Sequence, residues 1–162
     1  MALLSRKVDY ALLILSYLRH TPEGGCARAI AGRFGLSRPF IANILKTLCQ
    51  KGFVASHRGV KGGYVLRAEA GGRTLADLMD CLGDPFYLAE CNRATPNECC
   101  VLFAACPVKG AVAEVHRRVR DVLAGVTLAE IFGQDYPQIP QITQINELVF
   151  MNSSVQSADH QG

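Results

Sequence analysis

With 162 residues, 49% of them hydrophobic, and a mean hydropathy of +0.16, the chain is too apolar for disorder and large enough to bury a core. No apolar run approaches the ~20 residues of a membrane span, and Arg6 and Lys7 precede only a short apolar patch without a small-residue cleavage site, so the expected location is cytoplasmic, with no membrane partner. The net charge of +3 hides an asymmetry: residues 1–73 hold 12 Lys and Arg against 3 Asp and Glu, whereas residues 134–162 hold 3 acids and no base, as expected for a polyanion-binding module joined to a second part.

The first helix is expected from about Ser5 to Arg19, with Val8, Ala11, Leu12, Leu15 and Leu18 as its apolar stripe. Asp9 lies beside that stripe near the helix start, where a carboxylate favours the dipole. Thr21-Pro22-Glu23-Gly24-Gly25 breaks the chain, and Cys26 to Phe34 forms a second short helix with Ile30, Ala31 and Phe34 inward. Cys26 and Cys49 stand alone near apolar positions and read as small buried hydrophobes.

Gly35-Leu36-Ser37 is a turn into a third helix. Ser37 is a suitable N-cap, its hydroxyl able to accept from the first free amides, and Pro39 sits in the first turn, where its missing N–H costs nothing. Ile41, Ile44, Leu45 and Leu48 form the inward stripe, leaving Arg38, Phe40, Asn43, Lys46 and Thr47 to face elsewhere until Gly52 ends the helix. Two strand-like runs follow, Phe53 to His57 and Tyr64 to Leu66, around the loop Arg58-Gly59-Val60-Lys61-Gly62-Gly63, whose tip Arg58 and Lys61 charge. A helix after a short turn and before a basic hairpin is the winged helix-turn-helix arrangement, in which the helix lies in the DNA major groove and the loop reaches phosphate or the minor groove. The expected fold is mainly α with a small β wing.

Downstream, Thr74-Leu75-Ala76-Asp77 resembles a capping box and opens a helix with Leu75, Leu78, Met79 and Leu82 on one side, stopped at Gly83-Asp84-Pro85. A long helix is expected from about Pro107 to Gly125. Val108, Val112, Val115, Val119, Val122 and Val126 recur along it every four or three residues as a heptad seam, which reads as a homodimerisation edge. Thr127-Leu128-Ala129-Glu130 is a second capping box. The expected organisation is a DNA-binding domain at residues 1–83, a cysteine loop at 84–106, a dimerisation helix and short capped helix at 107–133, and a mobile tail at 134–162.

Seven cysteines in a chain without a secretion signal argue for reduced thiols, metal ligation or redox chemistry rather than a disulfide framework. Cys91, Cys100 and Cys106 lie on one irregular loop beside a helix N-terminus. Thiolates suit iron, and the helix N-terminus favours negative charge, so the loop is a good seat for an iron-sulfur cluster. Adjacent cysteines rarely share a centre, which makes one of Cys99 and Cys100 a spare.

As far as Phe132 the chain resembles the Rrf-two family of bacterial regulators, whose relatives include the iron-sulfur cluster regulator, the nitric-oxide-sensing repressor and the cysteine-metabolism repressor. The matching stretches are Asp9-Tyr10-Ala11-Leu12, Phe34 to Ser37, Phe40 to Leu45, His57 to Tyr64, Thr74 to Asp77, Cys100 with Cys106, and Val126 to Ile131. The resemblance implies a dimer on a palindromic operator in double-stranded DNA and a two-iron or four-iron cluster (2Fe-2S or 4Fe-4S) on the three-cysteine loop. It also implies that Arg58 enters the minor groove and that Ser37, Phe40 and Asn43 meet DNA. With the basic positions, the candidate DNA-contacting set is Ser37, Arg38, Phe40, Asn43, Lys46, His57, Arg58 and Lys61. The candidate metal ligands are Cys91, Cys100, Cys106 and Asp9. Cys91 lies farther upstream than the family's usual first cysteine.

For the fourth ligand, some members use a histidine three residues after the last cysteine, where this chain has Lys109. His116 is ten residues beyond Cys106, about 15 Å along a helix, out of reach of the same centre. Asp9 matches the first-helix carboxylate that reaches across the dimer in the nitric-oxide-sensing branch, with solvent, a thiol or plain helix capping as its competitors. Two other readings stand beside the cluster-sensing regulator. One keeps the DNA-binding fold but makes the cysteines a thiol switch or zinc site. The other is a small iron-sulfur electron carrier, against which stand a single cluster motif and no cofactor loop. No plausible acid-base pair suggests an enzyme.

Overall fold

The computed structural model describes residues 3–59, 62–93 and 100–133; Lys61, Cys99 and the expected tail at 134–162 lie outside these ranges. Within them the chain folds as α1 (Arg6–Arg19), α2 (Ala27–Phe34), α3 (Arg38–Gln50), β1 (Val54–His57), β2 (Gly63–Leu66), a 3-10 turn at Ala68–Gly72, α4 (Leu75–Cys81), a second 3-10 turn at Glu90–Asn92, α5 (Lys109–Gly125) and α6 (Leu128–Gly133). The fold is mainly α with one two-stranded wing, as the sequence predicts. None of the described helices is long and apolar enough to cross a membrane.

Helix α1 starts at Ser5, whose hydroxyl accepts from the Val8 amide, and it buries Val8, Ala11, Ile14, Leu15 and Leu18. Ile14 takes the fully buried place expected of Leu12, which is only half-buried, because the inward stripe is centred one residue further round. These side chains pack with Ile30 and Ala31 of α2 and with Ile41, Ile44, Leu45 and Leu48 of α3. Burying a leucine of this kind contributes about 1.5–3 kcal/mol. Two edge-to-face aromatic pairs complete the three-helix contact: Tyr10 with Phe40 at 5.5 Å and Tyr17 with Phe34 at 6.3 Å. The turn between α2 and α3 depends on Gly35, which at φ +64° occupies the left-handed region, while the Leu36 amide closes on the Ala31 carbonyl at 2.9 Å.

The wing is antiparallel, with Val54 opposite Leu66, Ala55 opposite Val65, Ser56 opposite Tyr64 and His57 opposite Gly63. The Gly-Gly break before α2 also pairs with β2: Gly25 N donates to Tyr64 O and Tyr64 N donates to Gly25 O, each at 2.9 Å. That approach requires the absence of side chains. A Cβ on Gly24, already at φ +86°, would stand 2.6 Å from the Tyr64 carbonyl oxygen, and one on Gly63 would stand 2.9 Å from the Gly25 backbone. The glycine run therefore anchors the wing to the helices as well as turning the chain.

After the wing, Ala76, Leu78, Met79, Leu82, Phe86, Leu123 and Leu128 return to the same core. The two capping boxes lie side by side. Thr74 and Asp77 exchange bonds of 2.9 and 3.1 Å, Thr127 and Glu130 bonds of 2.7 and 3.2 Å, and a bridge between Thr74 and Thr127 joins the two helix starts. In its arms Leu75 N donates to Val126 O and Leu128 N donates to Arg73 O. The Thr74 amide holds the Asp77 carboxyl below its ordinary value, and the Thr127 amide does the same for Glu130.

On α5, hydrogen bonds from Arg117 and Arg118 draw Glu114 from 4.5 down to about 2. A carboxyl with a depressed folded pKa stabilises the chain above its unfolded pKa, and that stabilisation is lost as pH falls through the folded value. Asp77 and Glu130 are held below their ordinary values in the same way, so the thermal midpoint should fall as pH drops through and below the ordinary carboxyl range. A chain carrying Asp77→Asn and Glu130→Gln, measured by circular dichroism, should show a shallower fall. An equally steep fall would deny the boxes a part in acid stability.

Two further expectations change at this level. Cys26 is exposed rather than buried; it occupies the N-cap of α2, and the Ala29 amide holds its thiol below the ordinary value. Arg120 pairs with Asp80 of α4 at 2.6 Å. The valine seam divides. Val119 packs against the core beside buried Leu123, whereas Val108, Val115 and Val122 are 56%, 48% and 65% exposed. Residues three or four apart sit about 40–60° from one another round the helix, so one margin of a broad stripe meets the body while the other, repeating every seven residues, faces out.

Candidate nucleic-acid interface and cysteine loop

Helix α3 is held on three sides by its buried stripe and by Phe40 against Tyr10, and this fixes which residues it presents outward. Ser37 is its N-cap in extended geometry, and Pro39 lies in the first turn. The Ser37 hydroxyl makes no capping bond, contrary to the expected role, while its carbonyl accepts from the Ile41 amide at 3.1 Å. An exposed hydroxyl and free amides at a helix start suit phosphate. Arg38, Asn43 and Lys46 are exposed along the helix, and His57 and Arg58 are exposed at the end of β1 and the start of the wing loop. Phe40 is half-buried, so its ring positions α3 on α1. Spacing did not single out two further exposed cations, Arg28 in the first turn of α2 and Lys51 at the C-cap of α3; the charge excess of residues 1–73 was their signal.

Cys91 lies in the 3-10 turn Glu90–Asn92, and Cys100 opens a series of turns closed by Phe103 N donating to Cys100 O and Ala105 N to Leu102 O, each at 3.1 Å. Cys106 stands three residues before α5, and its carbonyl accepts from the Lys109 amide. All three thiols are free and half-buried. Lys109, where some relatives place histidine, lies with its ammonium 4.3 Å over the Phe103 ring. Asp9 is exposed in the first turn of α1.

The donor chemistry fits iron: three soft thiols on one segment, the last beside a helix start that favours anionic ligands. Among the described residues, however, no three His, Cys, Asp or Glu side chains gather as a metal site. Cys81 is separate from the loop, half-buried on α4, and burial pushes its thiol up.

This geometry is the setting for the comparisons. The Rrf2 family model, described as iron-dependent transcriptional regulator, matches residues 4–134. The chain belongs to the Rrf2 family. It is 30% identical over 153 residues to protein aau3 of Rhizobium meliloti, covering 90% of this chain and 94% of that one. Among solved structures it is similar to CymR, the global cysteine regulator of B. subtilis, with a TM-score of 0.62 at 25% identity over 84% of this chain and all of the other. It is also similar to T. potens IscR, with a TM-score of 0.60 at 26% identity over 85% and 92%. The chain thus has the Rrf2 transcriptional-regulator fold, and its relatives are regulators rather than enzymes. DNA binding is the family's activity, and in this chain α3 and the start of the wing loop carry exposed cations.

Proposed function

We propose that this Rrf2 protein acts as a homodimer on a palindromic operator in double-stranded DNA, reading it with α3 and the wing, and that its cysteine loop is the sensor. In this reading Cys91, Cys100 and Cys106 hold a 2Fe-2S or 4Fe-4S cluster, and the Asp9 carboxylate completes the ligand set across the dimer. One observation carries it: three half-buried thiols lie on a single segment that runs into α5, the helix with the exposed valine edge. When bound, such a cluster supplies a group whose charge and ligand bonds follow iron, oxygen, nitric oxide or redox state.

The chain's own part is mechanical. Cys106 sets the start of α5. Leu123 and the Arg120–Asp80 pair tie α5 to the core that also seats α3. Reorientation of α5 against a second copy changes the separation of the two recognition helices, and a palindrome is read only at a matching separation.

The test is anaerobic purification with iron and sulfide counts, followed by binding to a duplex selected from a random library by the purified protein. Iron and sulfide should be present, and Cys100→Ser or Cys106→Ser should remove them. The stripped protein should bind the selected duplex at least about tenfold differently from the loaded one, a coupling of about 1.4 kcal/mol. Equal binding by both forms at fixed salt overturns the sensing role. The thiol switch is the second reading, favoured by the lack of a gathered metal site among the described residues and by the similarity to a cysteine regulator. It predicts no iron and a change in DNA binding that dithiothreitol reverses, whereas a zinc site would show in the metal count.

A further inference from the structure

His116 stands too far along α5 to share a centre with Cys106, yet it is not a bystander. Its imidazole lies nearly parallel to the Phe86 ring at 5.4 Å and 8°, and to the Tyr87 ring at 6.3 Å and 11°. The Leu88 amide donates to its Nδ1 at 3.4 Å. One side chain of α5 therefore meets three successive residues of the segment leading to Cys91. That segment is internally braced. Asn92 Oδ1 accepts from the Ala89 amide at 3.2 Å, Arg93 pairs with Glu90 at 2.6 Å, and the Arg93 guanidinium lies 5.2 Å over the Tyr87 ring. Cys91 sits within the brace and is half-buried.

The opposite arm of the cysteine loop ends at Cys106 and continues into α5. We propose that His116 is a positioning residue that clamps the Cys91 arm to α5, so that both arms of the loop are referred to one rigid helix. The clamp lowers the entropy cost of bringing Cys91 and Cys106 together, because a loop pinned at both ends explores fewer arrangements. It also carries any movement of the Cys91 arm directly into the helix with the exposed valine edge. This second consequence rests on the reading of the loop as a sensor, whereas the first does not.

Full-length His116→Ala and His116→Phe separate the two contacts, since phenylalanine keeps a ring for stacking and lacks the acceptor. The stripped proteins are labelled with iodoacetamide, and each cysteine is followed by peptide mass spectrometry. His116→Ala should label Cys91 about five- to tenfold faster, as local opening requires, with Cys106 within about twofold of the unsubstituted protein and His116→Phe in between. Half-buried Cys49 on α3 should stay slow, which reports an intact core; if it also speeds up, His116→Phe is the deciding variant. Unchanged labelling of Cys91 overturns the clamp. Faster labelling with an undiminished loaded-to-stripped ratio for the selected duplex overturns the transmission to α5. If the unsubstituted protein binds that duplex equally in both states, the sensor reading falls, and the labelling still judges the clamp by itself.

Discussion

Full-length protein carrying Arg38→Ala and Lys46→Ala should bind its selected duplex roughly 100- to 1,000-fold more weakly near 0.15 M salt, and its binding should depend less steeply on salt. Both side chains are exposed on α3 and make no ion pair among the described residues, so their charge is available to phosphate. Each phosphate contact releases condensed counterion, and log K falls with log salt by about 0.9 per contact. Two contacts in each of two subunits should therefore lower the slope by about 3.6. Arg58→Ala should differ in kind: under the proposed reading its side chain enters the minor groove, where it would read width and A·T content, so its loss should blunt discrimination between duplexes more than it lowers the slope. The measurement is fluorescence anisotropy from 50 to 300 mM salt, roughly the range over which such slopes are read. A slope unchanged in the double variant would remove α3 from the DNA.

Introducing Val115→Glu and Val122→Glu together should yield a folded monomer. The two positions are 48% and 65% exposed in the single chain, so the substitutions leave the core and the thermal midpoint almost untouched. In a dimer joined along this edge each subunit would bury two carboxylates against apolar surface, a cost of several kcal/mol per charge. Fully exposed Val101 and the 65% exposed Leu102 lie close in sequence before the same helix. Sedimentation velocity should show the mass halved. Operator affinity should drop by about 10²–10⁴, because the second half-site is no longer bound intramolecularly. A double variant that remains dimeric would place the interface elsewhere.

Much of the exposed basic face of α3 was legible in the sequence, and for local reasons. Ser37 and Pro39 mark a helix start, Gly35 and Gly52 mark helix ends, and the inward spacing of Ile41, Ile44, Leu45 and Leu48 leaves Arg38, Asn43 and Lys46 outward whatever α3 packs against. The Arg58 loop was equally readable, since a charged glycine turn between two strand-like runs joins strands adjacent in sequence. The cysteine loop was legible as chemistry but not as geometry. Thiol spacing identifies a donor set, whereas the placement of the segment leading to Cys91 depends on contacts from elsewhere in the chain, such as His116 against Phe86 and Tyr87.

Local sequence, then, determined the helices, the wing, the two capping boxes and the basic half, because propensity, capping and hydrophobic period act over a few residues. Tertiary structure alone decided that Gly25 pairs with Tyr64, that Cys26 faces solvent, that Arg120 pairs with Asp80, that Val108, Val115 and Val122 are exposed along the edge of α5, and that His116 stacks on Phe86. Each of these depends on how elements distant in sequence are rotated and docked against one another. Such docking follows from filling one shared core, and no window of neighbouring residues contains that information.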